Sequence, residues 1–469
     1  NRGITMAPSQ RLVCEKWQTC PDGRHECSQS SSQPCGCQSA VIKPTVNAIL
    51  NDDQKDSQER YIAGIKKHIR EDQAALVLGA GISKPSKMPL WGGLISKMMG
   101  YAIQYDQLGK HEFSNVKTSG ATERASLLKL SRELTDGDLQ LLGKVNTLES
   151  AEYVAQLFDT RVDSARIRRK LEEEAIHGMV KQLVDNSLSP TNLLQDPEDG
   201  LPGAGSEIAG GKTAAQVVDD AGPRKVAARN TMFAVSYLMA EEHGIHCAMS
   251  YNYDPLVQEH MLDLYRMDET QLLTHPGLWG THKGGNGVRE LYHVHGFVPG
   301  ERQLARGSDR VFPNKSGPLV LSEDSYYRIE REEAYNWSSS IQSYFLNRYH
   351  CVFVGFSADD YNFRRILRQM GDKLEDGEKH RHWHYLIMTI DDWIGDVYAD
   401  VCRARAWKGD GKLTEPEVDG IAKEATLLLR YVLNCRAAYW SRFNICPIWV
   451  TVKDIPNLLV NLIPTTPSP

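Results

Sequence analysis

The chain has 469 residues, about three times the ~150 of a typical domain, so one to three domains fit within it. Hydrophobic residues make up 41 % and charged residues 24 %, which excludes a wholly disordered chain. With 54 Lys and Arg against 60 Asp and Glu, the net charge of −6 gives no support to a nucleic-acid binder driven by phosphate neutralisation. No segment approaches the roughly 20 uninterrupted apolar residues of a membrane helix, and Asn1–Gln10 lacks the pattern of a secretory signal. The expectation is a cytoplasmic enzyme or binding protein with no membrane contact and no direct nucleic-acid binding.

Residues 1–50 read as a Cys- and Ser-rich tail without apolar periodicity. Cys14, Cys20, Cys27, Cys35 and Cys37 are separated by gaps of five, six, seven and one residues. Those gaps lack the paired C-x-x-C turns of structural zinc sites, so no metal is expected. The pattern then favours a helix over Gln58–Arg70, followed by a buried strand at Ala74–Leu78 that closes on Gly79-Ala80-Gly81. Leu90–Ile103 resumes helical spacing. Residues 106–245 read as a helical insertion, most clearly over Ser164–Asn186, with a Pro-, Gly- and Asp-rich flexible loop at 189–223.

Short strand-like runs follow at Ile245–Met249, Leu291–Val294, Leu319–Leu321, Cys351–Val354, Tyr385–Thr389 and Ile445–Val450. Helices are expected at Phe363–Leu374 and Thr426–Trp440. This alternation predicts an α/β fold, a doubly wound Rossmann-like parallel sheet with a large helical insertion, spanning 51–463. In such a sheet ligands bind outside the carboxyl ends of the strands.

Polar motifs stand at four such ends. Gly79-Ala80-Gly81-Ile82-Ser83 is a strand-to-helix turn in which glycines let a backbone approach a pyrophosphate. Lys84 stands where a dehydrogenase fingerprint needs Gly or Ala, so hydride transfer is disfavoured. Asn252 and Asp254 follow the second strand, His293 and His295 end another, and Gly355 with Ser357 end a fourth. Each has a bland reading as well: Asn252 and Asp254 as turn formers, His295 as a core histidine, Trp91 as core.

Taken in order, GAGIS…PLW, SYNYD, YHVHG and VGFSADD resemble the sirtuin-like NAD-binding domain, in the branch found in bacterial anti-phage NAD hydrolases. The likeness runs from about residue 60 to 463. Zinc-binding deacylases of the superfamily carry two C-x-x-C pairs after the His-Gly motif, yet no Cys lies between Cys247 and Cys351. Lys87-Met88-Pro89-Leu90-Trp91 also replaces the deacylase G-I-P-D-F-R. The resemblance therefore implies NAD hydrolysis to ADP-ribose and nicotinamide, with NAD as substrate.

It gives Asn252 and His295 the catalytic roles, Asn252 orienting ribose and water and His295 acting as general base. Gly79, Ala80, Gly81, Ser83, Trp91, Asp254, Gly355 and Ser357 would form the NAD site. Trp91 would shield the nicotinamide and Gly355 with Ser357 would line the adenosine side. A homo-oligomer is implied, with a HerA-type ATPase as a possible partner. The alternatives are a non-catalytic NAD or ADP-ribose sensor on the same fold, or an NAD-dependent deacylase.

Overall fold

The computed structural model describes residues 46–83, 222–276, 287–299, 301–313, 320, 333–358, 360–372, 382–391, 393, 394, 397, 401 and 415–463. The cysteine-rich tail to residue 45, the helices expected at Leu90–Ile103 and Ser164–Asn186, nearly all of the 189–223 loop, and Trp91 lie outside the described residues. Two compact units are distinguishable, a larger one of 63–387 with 453–469 and a smaller one of 1–62 with 388–452.

Helix α1 (Asp52–Arg70) begins with a reciprocal cap. The Asn51 amide donates to Gln54 Oε1 at 3.0 Å and the Gln54 amide donates to Asn51 Oδ1 at 2.8 Å. Asp52 and Asp53 in its first turn and Lys67, His68 and Arg70 in its last turn complement the helix dipole. The strands are β1 (Ala74–Leu78), β2 (Cys247–Ser250), β3 (Leu272–His275), β4 (Arg289–His293), β5 (His350–Val354), β6 (His384–Thr389) and β7 (Ile445–Val450). The helices between them are α2 (Thr231–Ala240), α3 (Leu256–Asp263), α4 (Glu333–Arg348), α5 (Tyr361–Asp372) and α6 (Glu415–Ser441), and α7 (Ile455–Val460) follows β7.

The strands form one sheet in the order β3-β4-β2-β1-β5-β6-β7, and the pairings from β3 through β6 are all parallel. All five residues of β1 and all five of β5 are buried, the pattern of strands covered on both faces. This is the α/β Rossmann-like architecture that alternating strands and helices predicted. Helix α2 explains part of the covering. Nine of its ten residues are buried, so it is apolar all round and sits inside the unit. Asn230 caps it by accepting from the Phe233 amide at 2.9 Å.

Two details differ from the sequence expectation. Sequence reasoning does not anticipate strand β3, because Leu272-Leu273-Thr274-His275 is only four residues long and, among the described residues, pairs only with β4. Conversely, a strand was expected at Leu319–Leu321, but Val320 belongs to none. It is instead tied to the loops, its amide donating to the His295 carbonyl at 2.9 Å and its carbonyl accepting from Tyr253 Oη at 2.6 Å.

Candidate active site

Register decides where the four motifs go. Leu78 at the end of β1 is paired with Ser250 of β2 and with Val354 of β5, and Ser250 is paired with His293 of β4. Four strands thus end in one row, and the loops after them start at the same level. Strand β1 is followed on one side by β2 and on the other by β5, so the winding reverses beside it. That reversal is where open α/β sheets form a ligand crevice.

The turn after β1 and the loop after β5 touch backbone to backbone. The Gly79 amide donates to the Val354 carbonyl at 3.0 Å and the Gly81 amide to the Gly355 carbonyl at 2.9 Å. A Cβ on Gly79 would stand 2.4 Å from the Gly355 oxygen, and one on Gly81 would stand 2.9 Å from Gly355 Cα. Gly355 has a φ of +60°, a left-handed conformation that favours glycine. The glycines are therefore required by the approach of two loops to each other, a reason the pyrophosphate argument did not contain. The amides of Gly79, Gly81, Ile82 and Ser83 are all consumed within the protein. Ala80 is exposed at the start of the short 3₁₀ turn Ala80–Ile82.

Asn252, Ser83 and Asp254 form a buried relay. The Asn252 amide group donates to the Gly79 carbonyl at 3.2 Å and to Ser83 Oγ at 3.0 Å, and Ser83 Oγ donates to Asp254 Oδ2 at 2.9 Å. Two acceptors facing Nδ2 fix which way the Asn252 amide points. Its Oδ1 is buried and has no hydrogen-bond partner among the described residues. A buried acceptor without a donor is costly, by roughly 1–3 kcal/mol, and marks a place for a donor from outside the described residues. Asp254 also accepts from the Leu256 amide at 3.2 Å, which ties the relay to the start of α3. Burial pushes the Asp254 carboxyl up to about 6, although the bonds from Ser83 and the Leu256 amide pull it down.

The two histidines of β4 and its loop have different surroundings. His293 Nδ1 lies 2.8 Å from the Asn252 carbonyl and its Nε2 lies 2.8 Å from Gln258 Nε2. A carbonyl can only accept, so Nδ1 carries the proton and Nε2 accepts from Gln258. Burial holds His293 down at about 4, so it is a neutral brace that fixes the Asn252 backbone. His295 is also buried, and its Nε2 lies 3.5 Å from Asp360 Oδ2. Burial lowers its pKa and Asp360 partly restores it. The Tyr251 ring packs edge-on to His295 at 4.8 Å, and Tyr251 Oη donates to Gln342 Oε1 of α4 at 2.7 Å.

Asp360 carries a histidine–carboxylate pairing that sequence reasoning missed. Its Oδ1 accepts from the Phe363 amide at 2.8 Å, capping α5, while Oδ2 faces His295. The signal lay in Asp359-Asp360 after the β5 loop, directly before an amphipathic helix. Of the residues predicted for the site, the structure brings Gly79, Gly81, Ser83, Asn252, Asp254 and Gly355 into one bonded or touching set. Ala80 and Ser357 are exposed beside it. Among the described residues no group of three His, Cys, Asp or Glu side chains could hold a metal ion.

A glycine turn at the reversal of the sheet, a buried polar relay and a histidine–carboxylate pair thus stand together at the carboxyl ends of adjacent strands. The model of the SIR2-like domain family matches residues 246–407. No curated protein matches the chain. The matched stretch runs from the start of β2 past β6, and the structure adds β1 with its glycine turn as the strand paired to β2 and β5. Residues 246–407 are therefore similar to a SIR2-like domain, a likeness that covers about a third of the chain.

Proposed function

We propose that this protein hydrolyses the nicotinamide–ribose bond of NAD, releasing nicotinamide and ADP-ribose. The observation that carries this reading is Asn252 Oδ1, a buried acceptor without a partner among the described residues, held in a fixed orientation by Gly79 and Ser83. A ribose hydroxyl or an attacking water is a donor of the right kind for it. His295, kept neutral by burial and faced by the Asp360 carboxylate, supports a general base able to take the proton of that water. As the proton arrives, Asp360 would stabilise the imidazolium, the part that a carboxylate plays beside a catalytic histidine. Bond cleavage develops positive charge on the ribose, and the Asp254 carboxylate at the end of the relay favours it electrostatically. Ala80 and the turn after β1 would meet the phosphates, and Gly355 with Ser357 the adenosine side, as the sirtuin-like resemblance implies.

The wider role follows the same resemblance: an NAD-depleting effector in anti-phage defence, acting as a homo-oligomer and in concert with a HerA-type ATPase. Nicotinamide release by the purified protein tests the chemistry. Asn252→Ala and His295→Ala should each lower turnover by roughly 10²–10⁴-fold while NAD still binds and the fold is kept. A folded double variant that hydrolyses NAD at the wild-type rate would refute the assignment. NAD binding with no nicotinamide release by the wild type would favour a sensor instead.

A further inference from the structure

The main chain of Asn252 is held by side chains. Its amide donates to Ser250 Oγ at 3.1 Å and its carbonyl accepts from His293 Nδ1 at 2.8 Å. No main-chain amide among the described residues reaches that carbonyl. Asn252 is therefore anchored through the proton on His293 Nδ1. A neutral imidazole has one ring proton, and its place is set by the partner of the other nitrogen. Burial holds His293 down at about 4, so the variable at neutral pH is the tautomer and not the charge.

The other nitrogen meets Gln258, a wholly buried residue of α3. Gln258 Nε2 donates to His293 Nε2 at 2.8 Å and to Thr274 Oγ1 of β3 at 3.3 Å. Its Oε1 is buried and has no hydrogen-bond partner among the described residues. An orphaned acceptor is costly, and turning the amide over would offer Oε1 the Thr274 hydroxyl as a donor. The turned amide would also set Oε1 against His293 Nε2 and draw the ring proton there. Nδ1 would then be bare, with its lone pair facing the Asn252 carbonyl. The orientation that orphans Oε1 is the one that keeps the anchor.

We propose that Gln258 is a positioning residue for Asn252. By donating to His293 Nε2 it commits the ring proton to Nδ1, and that proton holds the Asn252 carbonyl. The side chain whose Oδ1 lacks a donor is fixed with it. The two bonds run in one direction, from α3 through the end of β4 to the loop after β2, so each polarises and strengthens the other. Gln258 touches neither a ligand nor a reacting atom in this scheme. Its effect on turnover rests on the NAD-hydrolase reading, whereas the state of the His293 ring does not.

Nitrogen NMR spectra of the full chain with isotopically labelled histidine test it, His293→Gln identifying the His293 signals, alongside nicotinamide release. The wild type should show the proton on Nδ1 and a hydrogen-bonded imine nitrogen at Nε2. Gln258→Met keeps the length of the side chain but cannot donate. It should move the Nε2 resonance to that of an unbonded imine nitrogen. Its kcat should fall about tenfold, the worth of one neutral hydrogen bond, with KM for NAD little changed. Gln258→Glu keeps the Nδ1 proton in either state, since a neutral carboxyl donates to Nε2 and an ionised one accepts from a doubly protonated ring. Its turnover should stay within about threefold of the wild type, and His293 should take its second proton at higher pH. A side chain that only filled space would give the reverse order, Met tolerated and a buried Glu harmful. A wild-type ring proton on Nε2, an Nε2 resonance unmoved by Gln258→Met, or a Met variant faster than the Glu variant would each overturn the proposal. If Gln258→Glu does not fold, the wild-type and Gln258→Met measurements decide alone. A wild type that releases no nicotinamide refutes the hydrolysis, and the two ring spectra still decide the role of Gln258.

Discussion

Asp254 makes the stability of this protein depend on pH in a direction opposite to that of a surface carboxylate. Its folded value of about 6 stands above the ordinary 3.8, because burial penalises the charge more than the bonds from Ser83 and Leu256 favour it. Between those two values the folded protein holds a proton that the unfolded chain has lost, so stability falls as pH rises. Below 3.8 both states are protonated and above about 6 both are ionised, so the effect is confined to that window. A difference of roughly two units corresponds to about 3 kcal/mol in total. Other groups titrate in the same range, so the quantity to measure is a difference. Unfolding free energies of the wild type and of Asp254→Asn, by urea titration at half-unit steps from pH 3.5 to 7.5, isolate it. The wild type should lose about 3 kcal/mol relative to the variant across the series, mostly between pH 4 and 6. Ser83→Ala, which removes a bond that lowers the Asp254 value, should extend the fall to higher pH. A difference that stays flat, or that rises with pH, would refute the reasoning.

Four further outcomes follow from the geometry. Gly79→Ala should destabilise by about 2–3 kcal/mol or more, because its Cβ would meet the Gly355 oxygen at 2.4 Å and Phe356 Cα at 2.7 Å, both backbone atoms. Gly420→Ala in α6, where a Cβ meets nothing within 4 Å, should be neutral or raise the melting temperature, and thermal melts of the pair check both. Asp360→Asn keeps an acceptor for the Phe363 amide but removes the charge that raises His295, so on the proposed NAD hydrolysis the acid limb of turnover should move to lower pH. Tyr251→Phe should cost about 1–3 kcal/mol in chemical denaturation by leaving the Gln342 oxygen without its donor.

Much of this protein was legible in its sequence because buried parallel strands and amphipathic helices have local signatures. The runs Ala74–Leu78 and Ile445–Val450 coincide with β1 and β7, and the expected helices at Gln58–Arg70 and Phe363–Leu374 overlap α1 and α5. The four motifs at strand ends were readable in the same way, since apolar runs closing on Gly79, Asn252, His295 and Gly355 place each motif in a loop. What periodicity cannot supply is pairing. The order β4-β2-β1-β5 brings together loops separated by up to 276 positions, from Gly79 to Gly355, and only register shows that they begin in one row.

The division of labour between the two histidines was likewise invisible. His293 and His295 are two residues apart and differ in nothing local. One is fixed by the Asn252 carbonyl and Gln258, and the other faces Asp360. The glycines of the first turn are legible in sequence as a tight turn after a strand, but not the second loop that presses on them. Sequence marks where a side chain is intolerable, and only the fold shows that the neighbouring atoms belong to the Gly355 loop. Composition and spacing are properties of neighbours along the chain, whereas a hydrogen bond from Asn252 to Ser83 spans 169 positions and exists only because the sheet closes that distance.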